Sequence, residues 1–199
     1  MNLALFDFDG TITTRETMPD FMRQAVSPLR RVLGIPVFAP MLAGYKMGFV
    51  AGTTIRNAVT SFGFRGALAS EVHAVGKRFA AEYIPHVLRH EIMQRIAWHQ
   101  AQGDKVVLVS GGLDFYLAPW CRQHGLELIC STLETRGERL TGRYQSAQCV
   151  GEEKARRVCE RYDLAAYGQC YAYGDTHEDE AMLALAQRRW FKGQEIEAA

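Results

Sequence analysis

A surplus of charge, paired cysteines and an uninterrupted apolar run are all missing from this 199-residue chain, and each absence excludes a class of function. Lys plus Arg number 23 against 22 Asp plus Glu, a net charge of +1, so no field gathers nucleic acid and none is expected as a partner. Five cysteines, odd in number and without a C-x-x-C pair, argue against a disulfide framework and a structural zinc site; reduced thiols fit a cytoplasmic location. Asp7 and Asp9 follow only a short apolar run, so the N-terminus reads as a first strand rather than a signal peptide. From Val32 to Ile55 Lys46 is the single charge, but Pro36, Pro40 and Gly34, Gly44, Gly48 and Gly52 interrupt the stretch, whereas a spanning helix needs about 20 mostly apolar residues. It reads as buried helices, with membrane contact not favoured.

What is present is an alternation. Asn2 to Phe6 is a short apolar run halted by Asp-Phe-Asp-Gly, as a buried parallel strand delivers its end to a loop. From Glu16 to about Ala101 the pattern turns helical, with Met18, Phe21, Met22 and Ala25 on one face and Val72, Val75, Phe79 and Tyr83 at spacings of three and four. Strands resume at Lys105–Val109, Leu126–Cys130 and Cys170–Tyr173, with a hairpin over Thr135–Tyr144, helices between them and an edge strand at Arg189–Lys192. Strands alternating with helices imply an α/β fold with a mostly parallel sheet.

Several loop residues offer chemistry. Asp7 and Asp9 flank Phe8 at a strand end, so alternation puts both carboxylates on one side, where a divalent cation relieves their repulsion or Asp9 shares a proton as a general acid. Ser110 precedes two glycines whose backbone N–H groups suit an anion. Lys154 opens a helix, and Asp175 and Asp179, four apart, share a helical face if the helix starts just after Gly174. Each also has a bland reading: a capping turn for Asp7–Thr11, an ordinary turn for Ser110–Gly112, a solvated surface lysine for Lys154. Oxygen ligands with few histidines nearby suit magnesium better than zinc.

In order, Asp7-Phe8-Asp9-Gly10-Thr11, Ser110-Gly111-Gly112, Lys154 and Gly174-Asp175-x-x-x-Asp179 resemble the four motifs of haloacid dehalogenase (HAD) superfamily phosphatases. The resemblance covers about Asn2 to Thr14 and Lys105 to Leu185, and the helical insertion is similar to the family's C1 cap. It implies a Rossmannoid core over residues 1–15 and 102–199 and a cap over 16–101. It also implies that Asp7 attacks phosphorus while Asp9 protonates the leaving oxygen and then activates water. Magnesium would be held by Asp7, the Asp9 backbone carbonyl and Asp175, with Asp179 supporting the metal shell. Thr11, Ser110, Gly111 and Lys154 would bind the phosphoryl group of a small phosphomonoester.

Within the superfamily the pattern is similar to phosphoserine phosphatases, which implies that Glu16 and Arg56 read the amino-acid part of phosphoserine or a related amino-alcohol phosphate. Glu16 also reads as a first-turn helix residue favoured by the dipole. The last motif departs from that group, since Glu178 stands where an amide is expected. The tail Gln187–Lys192 and the apolar insertion are also similar to bacterial phosphatidylglycerophosphate phosphatases, which implies a lipid phosphate as the alternative. A phospho-accepting receiver module uses an aspartate, a hydroxyl and a lysine too, but Asp9 and the long insertion disfavour it. A nucleotide-binding module would open with a glycine-rich turn where this chain is acidic.

Overall fold

The computed structural model describes residues 1–197. In chain order its elements are β1 (Leu3–Phe6), α1 (Met18–Ala25), α2 (Pro28–Lys46), α3 (Gly52–Phe64), α4 (Ala69–Glu82), α5 (His90–Ala101), β2 (Lys105–Leu113), α6 (Asp114–His124), β3 (Glu127–Ser131), β4 (Leu133–Arg136), β5 (Arg139–Tyr144), α7 (Glu152–Arg161), β6 (Cys170–Gly174), α8 (Glu180–Ala184), β7 (Arg188–Phe191) and β8 (Gln194–Ile196). Six strands form one sheet in the order β3-β2-β1-β6-β7-β8, parallel except for the last pair. The chain is thus α/β with a mostly parallel sheet.

Because successive side chains of a strand face opposite ways, Ala4, Phe6, Val106, Leu108 and Tyr173 join one buried cluster while Leu3, Leu5, Val107, Val109 and Ala172 join another. Both faces are covered, which is why β1 reads as a continuous apolar run. With β2 on one side of β1 and β6 on the other, the carboxyl ends of these strands open a crevice at a topological switch point.

Between β1 and β2 the chain makes five helices. Phe21 of α1 is fully buried among Tyr116 (ring centroids 4.8 Å apart), Phe79 (5.6 Å) and Phe64 (6.1 Å), tying α1, α3 and α4 to α6. The departing and returning segments are pinned together, Thr14 N–H donating to Val87 O (2.8 Å) and Arg89 N–H to Ile12 O (2.8 Å). A second attachment joins the α3–α4 loop to the hairpin of β4 and β5: Gly66 N–H donates to Leu140 O (2.8 Å), Leu140 N–H to Ala67 O (2.9 Å) and Ala69 N–H to Glu138 O (2.9 Å).

Two expectations are corrected. The Val32–Ile55 stretch is not buried: α2 runs unbroken through Pro36 and Pro40, and Leu29, Val32, Ile35 and Met47 are exposed at 63% or more. The two prolines lie four apart on an exposed face, where carbonyls lacking a helical donor are reached by water. The strand near Arg189 is also not an edge, because the short, exposed β8 pairs antiparallel beside it. No helix among the described residues is long and apolar enough to cross a membrane.

Candidate active site

The end of β1 is held by Asp7 N–H donating to Tyr173 O (2.9 Å), after which Phe8–Ile12 form a wide turn closed by Thr13 N–H to Phe8 O (2.9 Å). Gly10 is obligatory there for two reasons: its φ is +81°, and a Cβ would stand 2.2 Å from Asp175 Oδ2. The turn therefore sets Asp7 beside the acids that follow β6. Asp7, Asp175 and Asp179 each offer a carboxylate oxygen, all within 4.8 Å of one another. Lys154, buried in the first turn of α7, donates to Asp7 Oδ1 (2.5 Å) and to Asp179 Oδ1 (2.6 Å).

Asp175 and Asp179 do not share a helical face. Asp175 stands in the loop after β6, and Asp179 closes a capping box, its Oδ2 accepting from the N–H groups of Asp175 and Thr176 (both 3.0 Å) and from Thr176 Oγ1 (3.2 Å). Both Asp179 oxygens thus serve protein donors, and the residue aligns Lys154 and Asp175. Thr11, expected at the phosphate, instead donates its hydroxyl to Asp175 Oδ1 (3.1 Å).

Burial pushes the Asp7 carboxyl upward against the Lys154 ammonium, and burial likewise raises Asp175. Burial opposes the Lys154 charge too, but Asp7 and Asp179 outweigh it and raise its pKa, so Lys154 stays protonated. Ionised together, the three carboxylates would face a single ammonium in a poorly hydrated place, and that is why burial raises Asp7 and Asp175. The donors are all oxygens, so the residues present fit a hard divalent cation.

Asp9 belongs to a different environment. Its Oδ1 accepts from Thr17 Oγ1 (2.6 Å) and Thr17 N–H (2.9 Å), and the Thr17 hydroxyl lies 3.4 Å from that of the buried Tyr116. Burial first, and the charge of Glu16 second, push Asp9 up to about 7. A carboxyl poised there both gives and takes protons at neutral pH. Ser110, at the end of the apolar part of β2, is buried and accepts from Gly112 N–H (3.0 Å). Gly111 is packed so closely that a Cβ would meet Val150 Cγ1 at 2.7 Å.

Glu16 and Arg56 approach from the helical insertion. Glu16 has an exposed surface, yet desolvation raises its pKa while Arg56 opposes the rise. Arg56 is committed to protein partners, donating to Glu178 Oε1 (2.6 Å) and Gln148 Oε1 (2.9 Å), while Gln148 in turn donates to Thr53 O (2.8 Å) and Asn57 Oδ1 (3.0 Å). On the other flank of Asp175 a cleft of about 450 Å³ is lined by Gly10, Thr11, Arg89, Arg95, Trp190 and Lys192, among others. Arg89 holds the turn from that side, its Nε donating to Gly10 O (3.1 Å) and Thr13 O (3.2 Å).

The family model for haloacid dehalogenase-like hydrolases matches residues 4–184. The chain belongs to that family. Among similar proteins, Protein CicA of Caulobacter vibrioides is 29% identical over 194 residues, covering 96% of this chain and 85% of that protein. A histidinol-phosphatase of Neisseria meningitidis serogroup C is 35% identical over 119 residues, 55% of this chain and 52% of that protein. A solved structure of substrate-bound phosphoserine phosphatase shares the fold, with a TM-score of 0.69 at 19% identity over 96% of this chain and 85% of that one. The resemblance carried by the four motifs, and the hydrolase class it implied, therefore stand.

For this HAD-like hydrolase, the motif residues Asp7, Asp9, Ser110, Lys154, Asp175 and Asp179 gather at the carboxyl ends of β1, β2 and β6. Sequence reasoning missed Thr17, Tyr116, Gln148 and Arg89. Only Thr17, next to Glu16, had a signal, as a hydroxyl at the start of a helical pattern.

Proposed function

We propose that this HAD-like hydrolase is a magnesium-dependent phosphomonoester hydrolase working through a phosphorylated Asp7. The carrying observation is the contrast in partners between neighbours: Asp7 is buried against Lys154 and two further acids, while Asp9, two residues on, is turned away from them to Thr17. Asp7 attacks phosphorus, and Lys154 with Ser110 and the Gly111 backbone receives the phosphoryl oxygens. Magnesium, held by Asp7, the Asp9 carbonyl and Asp175, would offset phosphate charge during transfer. Asp9, oriented by Thr17, protonates the leaving oxygen and then takes a proton from the water that cleaves the aspartyl-phosphate. Thr11 and Asp179 position Asp175.

In this reading residues 16–101 are a cap that closes over a core of residues 1–15 and 102–199 and presents Glu16 to the leaving group. Arg56 already gives its Nε to Gln148 and its Nη2 to Glu178, and we assign the selecting role to Glu16. That choice supports an amine-bearing phosphate without a required carboxylate, an amino-alcohol phosphate rather than phosphoserine, and the relative called histidinol-phosphatase is in keeping with it. We place the reaction in the cytoplasm, where the free cysteines stay reduced.

Phosphate release should be measured from histidinol phosphate, phosphoethanolamine, phosphoserine and an aryl phosphate, with magnesium and with a chelator. Turnover that needs magnesium and vanishes in Asp7→Asn supports the reading; undiminished turnover in Asp7→Asn removes it. A lipid phosphomonoester is the second reading, favoured by the exposed apolar face of α2. Preference for phosphatidylglycerophosphate in detergent, erased by a charge at Phe49, would establish it instead.

A further inference from the structure

The helix α2 has too little protein around it for its composition. Leu29, Val32, Leu33, Pro36 and Pro40 fall at i, i+3, i+4, i+7 and i+11 and are all exposed, as is Met47 just past the helix end, so an apolar stripe runs along one side of a helix about 28 Å long. The helix is anchored on its other side to α3, where Phe38 meets Phe62 (ring centroids 5.3 Å apart) and Gly34 lets Phe62 approach to 3.2 Å of its missing Cβ. The turn after it adds Phe49, 82% exposed. A contiguous apolar surface of this extent marks an interaction site.

Charge identifies the partner. Residues 21–70 contain no Asp or Glu, yet they carry six basic residues, Arg23, Arg30, Arg31, Lys46, Arg56 and Arg65. Arg23 pairs with Asp20 and Arg56 with Glu178, whereas Arg30 bonds only to the carbonyls of Phe62, Gly63 and Arg65 and so keeps its charge. A second copy seated on the same face would bring basic residues together with no acid in the segment to pair them. An anionic bilayer surface offers what the patch lacks, an apolar layer under negative headgroups.

We propose that the outward face of α2, with Phe49, lies in the plane of an anionic lipid membrane and holds the enzyme on its surface without spanning it. The inference is independent of which phosphate the site hydrolyses. Its test is flotation of the purified full chain with vesicles of phosphatidylglycerol and, separately, of phosphatidylcholine, at low and high salt. The wild type should float with phosphatidylglycerol, and added salt should release it. Phosphatidylcholine should retain little.

The double variant Leu29→Glu, Leu33→Glu should weaken binding at least about tenfold, because it puts two charges into the apolar layer. Its thermal midpoint should match the wild type, since both positions face out. Arg31→Gln, at an exposed position of the same helix, should weaken binding about fivefold, the share of one basic residue near such a surface. Equal binding to both lipids, or binding indifferent to these variants, overturns the proposal. So does a wild-type dimer that the double variant dissolves while neither protein floats.

Discussion

Lys154→Met should separate the two sources of positive charge in the site. The residue is 2% exposed and holds Asp7 and Asp179 at 2.5 and 2.6 Å, so the thioether fills the volume but leaves the carboxylates facing one another. Breaking a buried ion pair from one side costs about 3–5 kcal/mol. In a chain of this size 1 kcal/mol corresponds to about 2–4 °C, which gives a fall of about 6–20 °C in unfolding midpoint in the presence of chelator. Magnesium should recover more in the variant than in the wild type, because the cation no longer competes with an ammonium for Asp7. The assay is thermal unfolding by circular dichroism, with chelator and with a magnesium titration. An unchanged midpoint in chelator would refute the claim that Lys154 compensates the buried acids, and a smaller magnesium shift than in the wild type would refute the claim that Asp7 is shared between them.

Glu16→Gln should raise KM for an amino-alcohol phosphate roughly ten- to a hundredfold, with little change for an aryl phosphate, since one charge-assisted hydrogen bond is worth about 1.5–3 kcal/mol; steady-state kinetics on both substrates decides it. Gly10→Ala should lower stability by about 1–2 kcal/mol from its left-handed φ, and further because the methyl collides with Asp175, so isothermal titration should show weakened magnesium binding. Stability should also fall on acidification through the buried His99. Its Nδ1 lies 2.8 Å from Asp104 and its Nε2 2.9 Å from the Tyr173 hydroxyl, and since burial favours the neutral ring, Nδ1–H donates to the carboxylate and Nε2 is left to accept from the tyrosine. Burial holds its pKa below 6.5, so below that pH the unfolded chain binds a proton that the folded chain refuses. Burial would raise Asp104, but bonds from His99 and Asn2 outweigh it and leave its pKa below 3.8, adding a second loss in stronger acid. His99→Phe should flatten the upper part of that profile in denaturant titrations, and a profile as steep as the wild type's would count against the assignment.

The strand-end motifs were legible because β1, β2 and β6 are short apolar runs that stop at polar residues, and a stop of that kind states where a side chain must emerge. The finer roles were not. Asp179 has the right spacing for a shared helical face, but the helix begins one turn later and its first acid caps that turn instead. Thr11 reads as a phosphate ligand only if its hydroxyl is unclaimed, and it belongs to Asp175. Burial of α2 was inferred from composition, which cannot distinguish an apolar helix covered by protein from one left bare. The edge of the sheet was misplaced because Gln194–Ile196 is too short and too polar to register as a strand.

The two attachments of the helical insertion have a mechanical consequence. One is at Ile12–Thr14 with Val87–Arg89, the other at Gly66–Ala69 with Glu138–Leu140, and both are made of backbone bonds rather than adjustable side chains. Fixed backbone pairs of this kind, together with the packing of Phe21 against Tyr116 of α6, leave the insertion no way to lift away as a unit without tearing both fastenings. The first fastening grows directly from the turn that carries Asp9, and Arg89 bolts it to Gly10 and Thr13. Any displacement of the insertion is therefore felt at the loop that bears Asp9.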